Sequence, residues 1–180
     1  TPTLPAEGEI YVRLRAAALN KRDYWITKGK YPGLSFPLVL GSDGAGDVDG
    51  REVIIDPSLD WGSDPDYFSL DFRILGMPDY GTLSYLVKVP KINLYDKPAH
   101  LTWLEAAALP VCGVTAYRAM MTRGKAKPGE RMLITGIGGG VATMALLFGA
   151  AMKMDIWVTS SSEHKIDLAI QHGATGGINY

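Results

Sequence analysis

The stretch RMLITGIGGGVA, residues 131–142, decides the fold. Residues 131–135 read as a short apolar strand, the glycines at 136, 138, 139 and 140 as a bend, and 141–151 as a buried helix. A strand, a glycine-rich turn and a helix in this order hold a dinucleotide pyrophosphate. Glycine lets the backbone approach the phosphates, and the N–H groups at the helix start face the anion. The spacing is Gly136-x-x-Gly139-x-x-Ala142, with a small residue where helix must pack on strand. Gly136, Gly139, Gly140 and Val141 are therefore the expected pyrophosphate contacts.

Working outward, residues 156–159 read as a second apolar strand, 162–171 as a second helix capped by Gly173, and 178–180 as the start of a third strand. This β-α-β-α-β run is one mononucleotide-binding half of a doubly wound parallel sheet. The second strand ends in Thr159-Ser160-Ser161-Ser162, with Lys165 one turn into the helix. Hydroxyls and an ammonium suit a 2′-phosphate, where an NAD-preferring unit carries an acid. NADP is thus expected over NAD, with Ser160, Ser161, Ser162 and Lys165 near the phosphate. Glu163 keeps the NAD alternative open if the strand runs longer, and the serines also suit a plain helix cap.

The first half is β-rich. Ile10, Val12 and Leu14 alternate with Tyr11, Arg13 and Arg15, the period of a half-buried strand. Residues 20–27 suit one helical turn, 53–55 a short strand, and Leu83, Tyr85, Val87 and Val89 another alternating strand stopped by Pro90. Residues 57–71 form an acidic loop, read as a solvated turn because Asp60, Asp64 and Asp66 match no calcium-loop spacing. Thr102 and Glu105 make a capping box ahead of an alanine-rich helix. Pro110 interrupts it, and a second segment runs over 111–121. The boundary between the halves falls near Pro98, giving domains 1–98 and 99–180.

The chain has 180 residues and net charge −1, so nothing electrostatic favours a nucleic acid or an anionic membrane. The longest apolar run, 141–152, is too short to span a bilayer. Cys112 is the single cysteine. It has no second cysteine in this chain to pair with, which fits a reducing compartment and leads us to expect a cytoplasmic location. The opening residues, TPTLPAEGEI, carry no signal-peptide pattern.

The segments AAALNKRDYW, FPLVLGSDGAG, YGTLSYLVKVP, EAAALPVCGVTAY, ITGIGGGVA, VTSSSEHK and GINY together resemble the medium-chain dehydrogenase/reductase superfamily. The resemblance is to its zinc-free, quinone-oxidoreductase-like branch. It implies an α/β protein, a GroES-like β domain followed by a partial Rossmann sheet, with the active site between them. It places a zinc-ligating cysteine of the alcohol dehydrogenases where Asn20 stands and a zinc-ligating histidine where Ser42 stands. Both are poor zinc donors, and His100, His164 and His172 show no ligand spacing. No zinc is therefore expected. The implied activity is NADPH-dependent reduction of a quinone or an α,β-unsaturated carbonyl. By the resemblance, Asn20, Asp23, Trp25 and Tyr31 surround the substrate, with Asn20 bonding its oxygen and Tyr31 a candidate proton donor. Thr115 would contact the nicotinamide, and Tyr180 the adenosine phosphate. An alcohol dehydrogenase-like enzyme and a non-catalytic nucleotide-binding protein remain the alternatives.

The chain is shorter than the family pattern. Residues 46–53 are compressed, the start corresponds to the family's second strand, and the second half of the Rossmann sheet and the dimerising strand have no counterpart. We expect the natural polypeptide to continue past Tyr180, with a homodimer available to the longer protein.

Overall fold

The computed structural model describes residues 4–34 and 36–180. The chain divides into two compact units, one reaching to Val111 and one from Cys112 to Tyr180.

The first unit is built on strands β1 (Glu9–Ala18), β2 (Asp43–Val48), β3 (Arg51–Ile55), β4 (Ser58–Leu59), β5 (Arg73–Ile74), β6 (Leu86–Pro90) and β7 (Leu94–Asp96), with α1 (Lys21–Thr27) between the first two and α2 (Trp103–Ala107) at the end. Five strands form one sheet in the order β6-β1-β2-β3-β7, and β4 and β5 pair separately. All pairings in this unit are antiparallel. The alternation of β1 works as read: Val12 is buried, with Ile10 and Leu14 packed against the cluster of Val53, Ile55, Leu59, Leu75, Val87, Val89 and Leu94. The turn between β2 and β3 is Asp49-Gly50, both at positive φ, the backbone a tight hairpin needs. This explains how 46–53 close in so few residues.

Several sequence expectations shift. The strand expected over 83–89 begins only at Leu86. Ser84 Oγ donates to the carbonyls of Gly81 and Leu86, bending the chain there and leaving Leu83 and Tyr85 exposed. The strand does end at Pro90, which is its last residue; β6 is an edge, where a missing N–H costs no ladder bond. The single turn at 20–27 is a seven-residue helix.

The second unit opens inside α3 (Pro110–Tyr117), which runs into a wider π-helical segment, Arg118–Arg123. The helix starts at Pro110 itself, where a proline's missing N–H has no intrahelical partner to lose. Then follow β8 (Arg131–Ile134), α4 (Gly140–Ala151), β9 (Asp155–Ser160), α5 (Glu163–Gln171) and β10 (Gly176–Asn179). The sheet is parallel in the order β10-β9-β8, the third, second and first strands of a dinucleotide-binding half. Ile134, Ile156 and Val158 pack on one side with Leu146, Ile166 and Ala169 from the helices. Their neighbours Leu133 and Trp157, paired across β8 and β9, point to the other face and stay 58% and 37% exposed. Helix α4 is not buried all round. Leu146 and Gly149 are buried, while Val141 and Leu147 are exposed, because only one stripe of a helix can reach the sheet.

Candidate functional site

The second unit carries the glycine turn. Gly136 donates its N–H to Thr159 Oγ1 at 3.2 Å, and Ile137 donates to the Thr159 carbonyl at 2.9 Å. These bonds pin the turn to the end of β9. Gly136 and Gly138 have φ of +66° and +104°, which L side chains rarely adopt. Gly139 differs. It caps α4 with φ −81°, and a Cβ added there would meet nothing nearer than the Gly136 carbonyl at 4.0 Å. Nothing in the fold requires a glycine at 139; a ligand approaching the backbone would. The first intrahelical bond of α4 runs from Thr143 N to Gly139 O, so the N–H groups of Gly140, Val141 and Ala142 precede the helical ladder and are aimed out of its positive end. These residues fit a pyrophosphate.

Around the turn the structure brings together several of the expected contacts. A Cβ on Gly138 would stand 2.9 Å from Lys165 Cδ, so the lysine lies along the turn. A Cβ on Gly140 would stand 2.5 Å from Cys112 Sγ, which sets α3 against the start of α4. Thr115, three residues after Cys112, shares that face of α3 and is exposed. At the end of β9, Ser160 is buried and its Oγ accepts from Ser162 N at 3.2 Å. The Ser162 hydroxyl makes no capping bond, and Ser161 is exposed. Glu163 accepts from Asn179 Nδ2 at 2.7 Å, which draws its carboxylate toward β10. Tyr180 donates its N–H to the Ser160 carbonyl at 3.3 Å and leaves its side chain exposed.

The first unit holds a second cluster around α1. Asn20 starts this helix, and Asn20 Nδ2 donates to Asp43 Oδ2 at 2.8 Å. Asp23 is 2% exposed; its oxygens accept the main-chain N–H groups of Asn20 at 2.8 Å and Gly41 at 3.1 Å. It clamps α1 to the loop ahead of β2. Arg22 Nη1 donates to Ser42 Oγ and to the Leu75 carbonyl, the latter at 2.8 Å. Its guanidinium lies 5.3 Å from the Tyr31 ring centroid, fixing Tyr31 by a cation–π contact. Arg22 Nε is buried without a partner, a cost of about 1–3 kcal/mol accepted to hold the guanidinium there. Trp25 sits edge-on to Tyr24 at 5.1 Å and is exposed.

Sequence reasoning missed Asp43. It is 1% exposed, and its Oδ1 accepts the Val111 N–H at 2.7 Å while Oδ2 accepts from Asn20. Burial pushes its carboxyl up to about 6, against the lowering pull of the Asn20 and Val111 hydrogen bonds. Asp23 adds to the rise and Arg22 opposes it. The available signal was one carboxylate inside Gly41-Ser42-Asp43-Gly44-Ala45-Gly46, a run otherwise small enough to be wholly buried. The acidic loop at 57–71 folds on itself, with Asp60 paired to Arg73 and Asp64 accepting from Asp66 N.

Residues 6–99 match the alcohol dehydrogenase GroES-like domain. The chain belongs to the medium-chain dehydrogenase/reductase superfamily. It is 42% identical, over 98% of its length and 55% of the relative's, to the zinc-type alcohol dehydrogenase-like protein YogA of Leptosphaeria maculans. Among solved structures, an NAD-dependent alcohol dehydrogenase superposes with TM-score 0.90 at 35% identity, covering 99% of this chain and 57% of that one. The quinone oxidoreductase of Thermus thermophilus, solved also with NADPH, gives TM-score 0.79 at 30% identity, covering 99% and 53%. The chain spans about half the length of the curated relatives it matches. Its fold is that of this superfamily, a GroES-like part followed by a Rossmann part, and it is related to oxidoreductases.

Among the described residues, no three His, Cys, Asp or Glu side chains gather where they could hold a metal ion. At the Asn20 and Ser42 positions stand a carboxamide and a hydroxyl engaged by Asp43 and Arg22. This donor set does not fit zinc. Among the described residues, no helix is long and apolar enough to cross a membrane.

Proposed function

We propose that this chain is the substrate-side and nucleotide-binding portion of an NADPH-dependent reductase of quinones or α,β-unsaturated carbonyls that works without zinc. The observation that carries the reading is Gly139, a glycine the fold does not require, at the positive end of α4. The N–H groups of Gly140, Val141 and Ala142 take the pyrophosphate. Lys165 and the hydroxyls of Ser161 and Ser162 take the 2′-phosphate, with Ser160 shaping the turn from behind and Tyr180 beside it. The Glu163–Asn179 bond supports NADP over NAD, since it draws that carboxylate toward β10 and engages an oxygen that would otherwise be free to accept from the ribose hydroxyls. Thr115 lies toward the nicotinamide. When bound, the nucleotide supplies a hydride to the acceptor.

In the first unit, the Asn20 carboxamide donates to the acceptor's carbonyl oxygen, and Tyr31, held by Arg22, supplies the proton route. Asp23 positions α1. A conjugated acceptor spreads its developing charge, so a carboxamide donor serves where an isolated carbonyl needs a Lewis acid. A cytoplasmic location belongs to the same proposal, and the longer protein is proposed to dimerise.

The test is a fluorescence titration of the full-length protein with NADPH and NADH, followed by an acceptor screen. NADPH binding with turnover of quinones or enones is the expected result. Equal or stronger NADH binding with alcohol oxidation contradicts it. That outcome supports the second reading, favoured by the likeness to an NAD-dependent alcohol dehydrogenase, and stoichiometric zinc by elemental analysis would accompany it. Tight NADPH binding with no turnover of any acceptor would mark a nucleotide-binding protein without catalysis.

A further inference from the structure

We infer that Asp43 is a positioning residue, which fixes the Asn20 carboxamide with its N–H side, rather than its oxygen, committed to donating. The inference rests on the reading of Asn20 as the donor to the acceptor oxygen.

The geometry is closed on Asp43 from two sides. Its Oδ1 takes the Val111 N–H at 2.7 Å, and its Oδ2 takes Asn20 Nδ2 at 2.8 Å. The residue is 1% exposed, so burial and these two bonds together keep the carboxylate from swinging away, while Thr82 Oγ1 holds its main-chain carbonyl at 2.7 Å. An ionised carboxylate only accepts hydrogen bonds. Facing Asn20, it therefore dictates which end of the carboxamide points to it, a choice that shape alone leaves open because the amide's two ends are nearly alike. The nitrogen carries two N–H groups on one side and the oxygen sits on the other. The capping box that Asn20 closes with Asp23 at the start of α1 favours the same orientation, oxygen toward the helix. Asp43 thus sets the polarity Asn20 presents to its surroundings. Arg22 and Asp23 on α1 are the charged groups that act on this carboxylate.

Asp43→Asn inverts this logic without changing volume. The Val111 main-chain N–H cannot turn round, so the new side chain keeps its oxygen there and aims its NH₂ at Asn20. Asn20 must then flip to offer oxygen, and its donor polarity is reversed. The reciprocal pair Asn20→Asp/Asp43→Asn restores the hydrogen bond between the two side chains, since the carboxamide introduced at position 43 now donates to the carboxylate introduced at position 20. It leaves α1 with a good N-cap residue but places an acceptor where the donor was.

The experiment combines steady-state kinetics of the full-length protein on a quinone panel with NMR of the Asn20 side-chain amide. Asp43→Asn is expected to lower kcat about a hundredfold, the loss typical of one oxyanion donor, with NADPH affinity unchanged. The double variant is expected to regain thermal stability without regaining kcat. The Asn20 amide protons are expected to exchange slowly in the wild type and to lose that protection in Asp43→Asn. If the double variant recovers turnover together with stability, position 20 needs no N–H donor, and the inference is overturned along with the reading of Asn20 on which it rests. An Asn20 amide signal identical in wild type and Asp43→Asn overturns it as well. If the wild type reduces no acceptor, the reductase reading has failed instead, and the amide signal alone decides whether Asp43 orients Asn20.

Discussion

Lys165 lies along Gly138, so that a Cβ built on the glycine would stand 2.9 Å from Lys165 Cδ, 3.3 Å from Cε and 3.5 Å from Nζ. A residue on α5 thereby reaches the turn after β8. The ammonium is brought over the place where the phosphates of a dinucleotide are expected. Replacing Lys165 by alanine removes one charge-assisted contact, worth about 1.5–3 kcal/mol, or roughly 10- to 100-fold in NADPH affinity. NADH affinity should change little. Titration of the variant with both nucleotides checks this, and equal losses for the two would place the lysine on the pyrophosphate instead.

The packing of Cys112 against Gly140 supplies a rescue experiment. Gly140→Ala puts a methyl 2.5 Å from Cys112 Sγ, too close without movement of α3 or α4. Overpacking of this kind costs about 1–3 kcal/mol. Adding Cys112→Ala removes the sulfur and should recover most of the loss. Denaturant unfolding of the two single variants and the double measures it. Strictly additive losses would show that the two residues do not share the contact.

Asp43 gives the protein a pH dependence of definite sign. Its carboxyl titrates at about 6 in the folded chain, against 3.8 ordinarily. Between these values the folded state holds more proton than the unfolded one, so stability falls as pH rises through that window. The charged form costs about 3 kcal/mol at full effect. Asp47 is held low by the hydrogen bonds of Arg15 and Arg13, Asp155 by Arg131, Glu9 by Lys88 and Glu105 by Thr102. Their stabilisation is present above the ordinary carboxylate values and fades below them. From about pH 4.5 to 6, then, Asp43 sets the slope among these groups. Denaturant unfolding should show greater stability at about pH 5 than at about pH 7.5, and Asp43→Asn should flatten the difference. An unchanged slope in the variant would mean that another group carries it.

Ile156 is fully buried in β9 and packs against Gly149 of α4. Ile156→Ala should cost about 2–5 kcal/mol in unfolding free energy. A loss under about 1 kcal/mol would mean that sheet and helix are not packed as described.

What the sequence made legible is what local chemistry decides. The period of two in β1 follows from one face meeting the core. The capping box is observed, with Thr102 N donating to Glu105 Oε2 at 2.8 Å and Glu105 N to Thr102 Oγ1 at 3.2 Å. The order of strand, glycine turn and helix was readable because positive φ and a bare helix start both demand glycine nearby. The rest depends on partners far along the chain. Leu83 and Tyr85 carry the alternation of a strand, but Ser84 bends the backbone and their side chains meet solvent. Asp43 reaches the main chain of a residue 68 positions away, and no local pattern announces that bond. Arg22 looks like a surface residue of an amphipathic turn until Ser42 and Leu75 arrive from other segments to hold it. Even Gly139 stands out only in three dimensions, where neither its φ nor its neighbours call for a glycine.

The most direct test is a crystal structure of the full-length protein grown with NADPH. The pyrophosphate is expected on the N–H groups of Gly140, Val141 and Ala142, with the 2′-phosphate within hydrogen-bond reach of Lys165. A nucleotide bound elsewhere, with the turn at 136–142 carrying no phosphate, would contradict it.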